Sequence, residues 1–308
     1  MRCNVIKVMM GYIVAMSFGL AGCGGGGGSS SIISSSYKGT TTQATVTTSN
    51  AKAVSVDAIQ GAQNVASVGV LGKSVAEIHE SSPQILTIAK ILEVSVSRVS
   101  PKAVVAKTVA ATVQQTVYGH SGSFSFTING NDSTGAFSGT ITFNSYEENS
   151  YAPIISGNVS FIGVVNTSTS TITSVDMSMS NLQGVIGSDS YTLNGSIALS
   201  SNGITKTLNI SAVRLDNTNN NTYWTKDFSF VLTGNRLTIK GTYYDHVHGY
   251  VVVTTVTPLT VLTYSSTPTS GQLLFTGSNG TKARLTYKFS GYTLDVDVSG
   301  NNTYVLIP

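Results

Sequence analysis

The sequence predicts a mainly β protein of the α+β class, in which N-terminal helices precede a large curled antiparallel β-meander of about a dozen strands. Three observations predict it. From about Gly119 onward apolar residues recur at every second position, the period of a strand with one covered face. Short clusters rich in Asn, Gly and Ser separate these runs, which joins neighbouring strands as antiparallel hairpins. Before Gly119 the apolar residues fall three and four apart, the spacing of a helix.

The chain starts with Arg2 and Lys7, then a mostly apolar run from Val8 to Leu20, then small residues. That is the order of an export signal, so residues 1–22 are expected to be a removable leader. The run of 13 residues is too short to span a bilayer, for which a helix needs roughly 20. It ends in Leu20-Ala21-Gly22-Cys23, which resembles the lipobox of bacterial lipoproteins. The resemblance implies cleavage before Cys23, a thioether from its sulfur to diacylglycerol, and acylation of the new amine. One acyl chain holds a protein only marginally, whereas two or more hold it firmly. The partner so implied is a membrane, reached through the N-terminal lipid and not through a spanning helix. Gly24 follows the cysteine where an Asp would retain such a protein in the inner membrane. By that sorting rule the resemblance implies the outer membrane of the cell envelope.

Cys3 would leave with the leader and Cys23 would carry lipid, so the mature part is expected to have no disulfide. The chain has 17 Lys and Arg against 14 Asp and Glu, with 10% of residues charged. Losing Arg2 and Lys7 brings that balance nearer to zero. Nucleic acid is excluded as a partner, because its capture needs clustered cations.

Residues 23–50 are expected to form the lipidated cysteine and a flexible Gly/Ser/Thr tether, since few side chains there can be buried. The five glycines 24–28 are not a phosphate loop, as no strand precedes them and no Gly-Lys-Ser/Thr ends them. Residues 51–118 read as a helical segment. Ser82 caps a helix that opens on Pro83 and places Ile85, Ile88 and Leu92 on one face. Ser100 and Pro101 repeat the signal, followed by Val105, Val109 and Val113 at intervals of four. A weaker helix covers Ala51 to Val70, with Ile59, Ala62, Val65 and Ala66, interrupted by Gly61 and Gly69.

Residues 119–308 form the antiparallel β domain. "SFSFTI" sets Phe124, Phe126 and Ile128 on one side. "GTITF", "SYTLNGSIAL", "KTLNIS", "FSFVL", "RLTIK", "ARLTY" and "YTLDVDV" repeat the alternation. Turn signals such as Asn129-Gly130, Asn202-Gly203, Gly234-Asn235, Asn279-Gly280 and Ser299-Gly300 stand between them. One apolar face and one Ser/Thr/Asn face suit a sheet dry on one side. So many strands are expected to curl into a half-barrel, a barrel or a sandwich, with the helices covering the concave apolar face.

Candidate chemical sites are sparse. His246 and His248 would share a strand face, but only His79, His120 and scattered carboxylates could complete a metal set. Asp295, Asp297, Ser299 and Asn301 alternate like calcium ligands, yet Gly300 comes too early and no Glu closes the loop. Gly119-His120-Ser121-Gly122-Ser123 lacks the last glycine of a nucleophile elbow. Glu147 and Glu148 would face opposite ways on a strand. Tyr146, Tyr151, Tyr223, Trp224, Tyr243, Tyr244, Tyr250 and Tyr264 lie near predicted strand ends. In two rings they would be the girdles of a spanning barrel, but tyrosine is also a common strand residue. No catalytic residue, cofactor or metal is assigned; the one site residue assigned is Cys23, for lipidation.

The lipobox, the Gly-rich tether and the Ser/Thr-rich strands, with "PTSGQLLFTGSNGTKARLTY" near the end, look like uncharacterised lipoproteins of Gram-negative bacteria. Helices followed by a long meander are similar in order to periplasmic lipoprotein carriers, half-barrels that enclose an apolar ligand. The expected function is a membrane-anchored, non-enzymatic structural or binding module. One alternative is a carrier of lipid or another apolar ligand. Another is an envelope-polymer hydrolase gathering Asp176, Asp227 and Asp245 in a cleft.

Overall fold

A computed structural model describes residues 35–55, 58, 111–131, 133–147, 150, 154–169, 171–261, 268–289 and 291–307. The helix expected over Pro83 to Leu92 lies outside these residues, as does most of the one expected from Pro101.

Fourteen strands form one sheet, each paired antiparallel with the strands before and after it in sequence. They are β1 (Ala111–Tyr118), β2 (Ser121–Asn131), β3 (Ala136–Glu147), β4 (Ile154–Asn166) and β5 (Thr171–Ile186). Next come β6 (Asp189–Ser201), β7 (Thr205–Asp216), β8 (Thr222–Thr233), β9 (Arg236–Asp245) and β10 (Gly249–Thr260). The last are β11 (Ser270–Thr276), β12 (Lys282–Lys288), β13 (Gly291–Asp297) and β14 (Val305–Ile307). The fold is a β-meander, as the alternation predicts.

The structure differs at one boundary. Ala111–Tyr118 is strand β1, where the valine spacing predicts the end of a helix. An interval of four fits both periods, since residues four apart share a face of a helix and of a strand. Pairing decides between them: Val113 stands opposite Ile128 and Val117 opposite Phe124.

Alternate residues of each strand turn toward one contiguous core, running from Phe124 and Phe126 on β2 to Leu294 and Val296 on β13. A sheet whose single apolar face is covered from β2 to β13 has curled around that face. Its other face carries Ser, Thr and Asn, as with Thr207, Asn209 and Ser211 on β7. Apolar inside and polar outside is the reverse of a membrane-spanning barrel.

The curl has local causes. Ser145 on β3, Asn181 on β5 and Asp227 on β8 adopt positive φ of 48°, 52° and 52°. At each the register shifts against a neighbouring strand. An inserted residue of this kind bends its strand and steepens the twist. It also flips the alternation, so Phe143 and Tyr146, or Met179 and Leu182, are buried together although three apart. Glycines on adjacent strands make room. A Cβ on Gly195 would lie 2.3 Å from the Ser211 carbonyl oxygen, and one on Gly241 would lie 2.7 Å from the Phe228 Cα. On β10 the ladder to β9 is interrupted between Val251 and Leu259. There the Thr255 hydroxyl accepts from the Ile239 N–H and lies 2.8 Å from the Ile239 carbonyl oxygen.

Candidate functional site

Even-numbered strands all begin at one rim of the sheet, which we term the proximal rim. The N-terminal segment is laid across it. Lys38 N donates to Thr222 Oγ1 at the start of β8 (2.9 Å). Thr40 N donates to the His246 carbonyl in the β9–β10 turn (2.9 Å), and Ala44 N to that of Tyr250 (2.8 Å). Tyr250 N and Ser278 N donate in return to the carbonyls of Thr42 and Ala44. Val46 N donates to Thr281 Oγ1 at the end of the β11–β12 turn (2.9 Å). Residues 37–46 therefore form a strap hydrogen-bonded to three consecutive proximal hairpins, within the span whose composition suggests a free tether.

The strap ends in a helix start. Thr47 N donates to Asn50 Oδ1 while Asn50 N faces Thr47 Oγ1, a reciprocal cap of the kind that satisfies two free N–H groups. Residues 51–55 are helical, and Ala51, Val54 and Ala58 join the sheet's core. The weak helix expected from Ala51 is present over these residues.

Before it reaches the rim, the strap contributes a ring to a second cluster. Tyr37, Val213 and Trp224 are buried together with Tyr244 against them, apart from the inner core. Trp224 and Tyr244 stack with ring centres 4.7 Å apart, Tyr250 continues the row at 5.0 Å, and Tyr37 meets Tyr244 edge-on at 5.5 Å. Lys226 Nζ lies 5.1 Å over the Trp224 ring. Trp224 faces outward because the insertion at Asp227 reverses its side relative to Phe228. The Tyr37 hydroxyl lies 2.8 Å from the Asp245 carbonyl and 3.0 Å from that of Thr40, so its proton is shared between them. Burial, then the nearby Asp245 and Tyr244, push the Tyr37 phenol well above its ordinary pKa. The hydroxyl therefore stays protonated and a donor. Trp224 Nε1 is buried without a hydrogen-bond partner among the described residues.

The residues singled out from sequence serve mostly as turn scaffolding. Asp245 Oδ1 accepts from Val247 N and His248 N. His246 Nδ1 accepts from Thr222 N (3.1 Å), which places the neutral ring's proton on Nε2. Asp297 accepts from Ser299 N, Ser299 Oγ, Gly300 N and Asn302 N. Desolvation raises its carboxyl pKa, but the hydrogen bonds from Asn302, Ser299 and Gly300 outweigh it and hold the group below the usual range. Asp295 instead pairs with Arg284 (3.3 Å), whose guanidinium lies 3.9 Å over Tyr304. Among the described residues no three His, Cys, Asp or Glu side chains gather as a metal set.

The three aspartates of the hydrolase alternative do not converge. Asp176 stands on β5 opposite Ala198, three strands from Asp227 on β8, or about 14 Å at the usual spacing. The tyrosines divide: Tyr146 and Tyr243 are core residues, Tyr223 packs against the core, and Tyr244 and Tyr250 face outward. Cys23, His79, Glu148, Tyr151 and Tyr264 lie outside the described residues. Tyr37 belongs to no sequence motif, yet it is the one Phe, Tyr or Trp between Phe18 and Tyr118, and that isolation is its signal in the sequence. No known protein family matches this chain, and no curated protein or solved structure is similar to it. Among the described residues no helix is long and apolar enough to cross a membrane.

Proposed function

We propose that this chain is a lipoprotein of the cell envelope, anchored to the outer membrane through lipid on Cys23, whose β body is a non-enzymatic structural or binding module. The observation that carries the reading is Leu20-Ala21-Gly22-Cys23 at the end of a short basic-then-apolar leader. Two structural features support it. Asp245, His246 and Asp297 are engaged in hydrogen bonds that hold turns together, and Asp176 and Asp227 stand three strands apart. Binding the strap to the rim also leaves only residues 24–36 between the lipid site and the folded body. A coil of that length has a root-mean-square reach of about 20 Å, which keeps the body close to the lipid surface.

The test is metabolic labelling in a Gram-negative host with a clickable palmitate analogue, comparing the protein with its Cys23→Ser variant. Label on the first and none on the second is expected. An unlabelled wild-type protein, or label persisting in the variant, overturns the reading.

The carrier alternative draws on one observation: helical residues Ala51, Val54 and Ala58 pack on the sheet's apolar concave face. That reading expects lipid to remain bound to Cys23→Ser protein in native mass spectrometry, and lipid-free protein removes it.

A further inference from the structure

We propose that the proximal rim is a membrane-contacting surface that rests in the headgroup layer of the bilayer; this rests on the lipid anchor at Cys23. Three observations converge on that rim. The strap that follows the anchor docks there: its partners among the described residues are Thr222, the β9–β10 turn and the β11–β12 turn. Thirteen residues lie between Cys23 and Tyr37, and as a free chain they would have a root-mean-square reach of about 20 Å. The opposite rim is a strand length further away, about 40 Å along the 12 residues of β7.

The proximal hairpins also project apolar side chains into solvent. Tyr118 (β1–β2), Ile154 (β3–β4), Val185 (β5–β6), Val247 (β9–β10), and Val298 and Val305 (β13–β14) are exposed, Val247 by 64%. Finally, the half-buried Tyr244 and Tyr250, with Lys226 nearby, lie on the outer wall beside this rim, over the buried Trp224. Partly exposed tyrosines with a neighbouring cation suit the boundary between headgroups and hydrocarbon. Exposure alone does not choose between the rims, since Ile204 and Phe289 protrude from the other one. The docked strap chooses.

The test supplies the anchor chemically, so that it does not depend on lipidation in cells. Mature protein beginning at Cys23 is coupled by maleimide to a phospholipid in phosphatidylethanolamine/phosphatidylglycerol vesicles. A photo-crosslinking residue is placed in turn at Val247, Val298, Ile204 and Phe289. Lipid adducts at positions 247 and 298, with background at 204 and 289, are expected. Equal adducts at both rims, adducts only at 204 and 289, or none at any position overturns the proposal. Failure of the palmitate labelling alone would strike the anchor and leave this geometric result standing.

Discussion

The inner core and the outer aromatic cluster both bury large rings, but they are assembled differently. The core draws its rings from β2 through β13, with only small side chains (Ala44, Val46, Ala51, Val54 and Ala58) added by the N-terminal segment, and each ring is one among many. The outer cluster draws Val213, Trp224 and Tyr244 from three adjacent strands and completes them with Tyr37 from a segment about two hundred residues away. Burial that is shared widely specifies a fold. Burial that depends on one distant ring specifies a route for the chain, here across the proximal rim.

The contrast can be broken most forcefully from the core side. Phe228 is fully buried on β8, and Phe228→Ala should cost about 3–5 kcal/mol of global stability, read as a lower urea midpoint. A loss below about 1 kcal/mol would show that the inner face is loosely packed. Next, Gly241→Val forces a side chain against the Phe228 backbone. It should cost about 1–3 kcal/mol as overpacking, and a neutral result would remove the glycine's role in the curl.

The cluster side should respond locally. Tyr37→Phe keeps the ring and removes the hydroxyl shared by the Asp245 and Thr40 carbonyls. It should cost about 0.5–1.5 kcal/mol, seen as faster exchange of strap amides with a nearly unchanged urea midpoint. If the midpoint falls as far as for Phe228→Ala, the two clusters are one cooperative unit and the contrast fails.

A pH-dependent effect belongs to Asp297. Its carboxyl is held below the usual range in the folded state. Its contribution to stability is therefore complete above the ordinary carboxylate pKa of about 4 and is lost as pH falls through the lower folded value. The difference in urea midpoint between the wild type and Asp297→Asn should shrink as the medium is acidified below about pH 4. A difference that grows on acidification would mean that the turn binds the protonated acid.

Much of this was legible in the chain. Alternation in "SFSFTI", "KTLNIS" and "ARLTY", punctuated by Asn-Gly turns, specified β2, β7 and β12 and the meander joining them. Val113 misled because an interval of four belongs to both periods. Inserted residues hid the facing of Trp224: read by simple alternation it shares a side with Phe228, and only the turn in the backbone at Asp227 separates them. The signal for such insertions is three-residue spacing of large apolar residues around a Ser, Asn or Asp, as in Phe143–Tyr146 and Met179–Leu182. The strap was not legible from composition, because Ser and Thr that suit a free coil also hydrogen-bond well to hairpin ends.

The most direct test of the link between anchor and rim is amide hydrogen exchange across residues 37–46 of the mature protein. Thr40, Ala44 and Val46 donate to His246, Tyr250 and Thr281, so these amides should exchange far more slowly than a free coil and lose protection in Tyr37→Ala. Exchange at free-coil rates in the unaltered protein would contradict the docked strap, and with it the reason for calling that rim proximal.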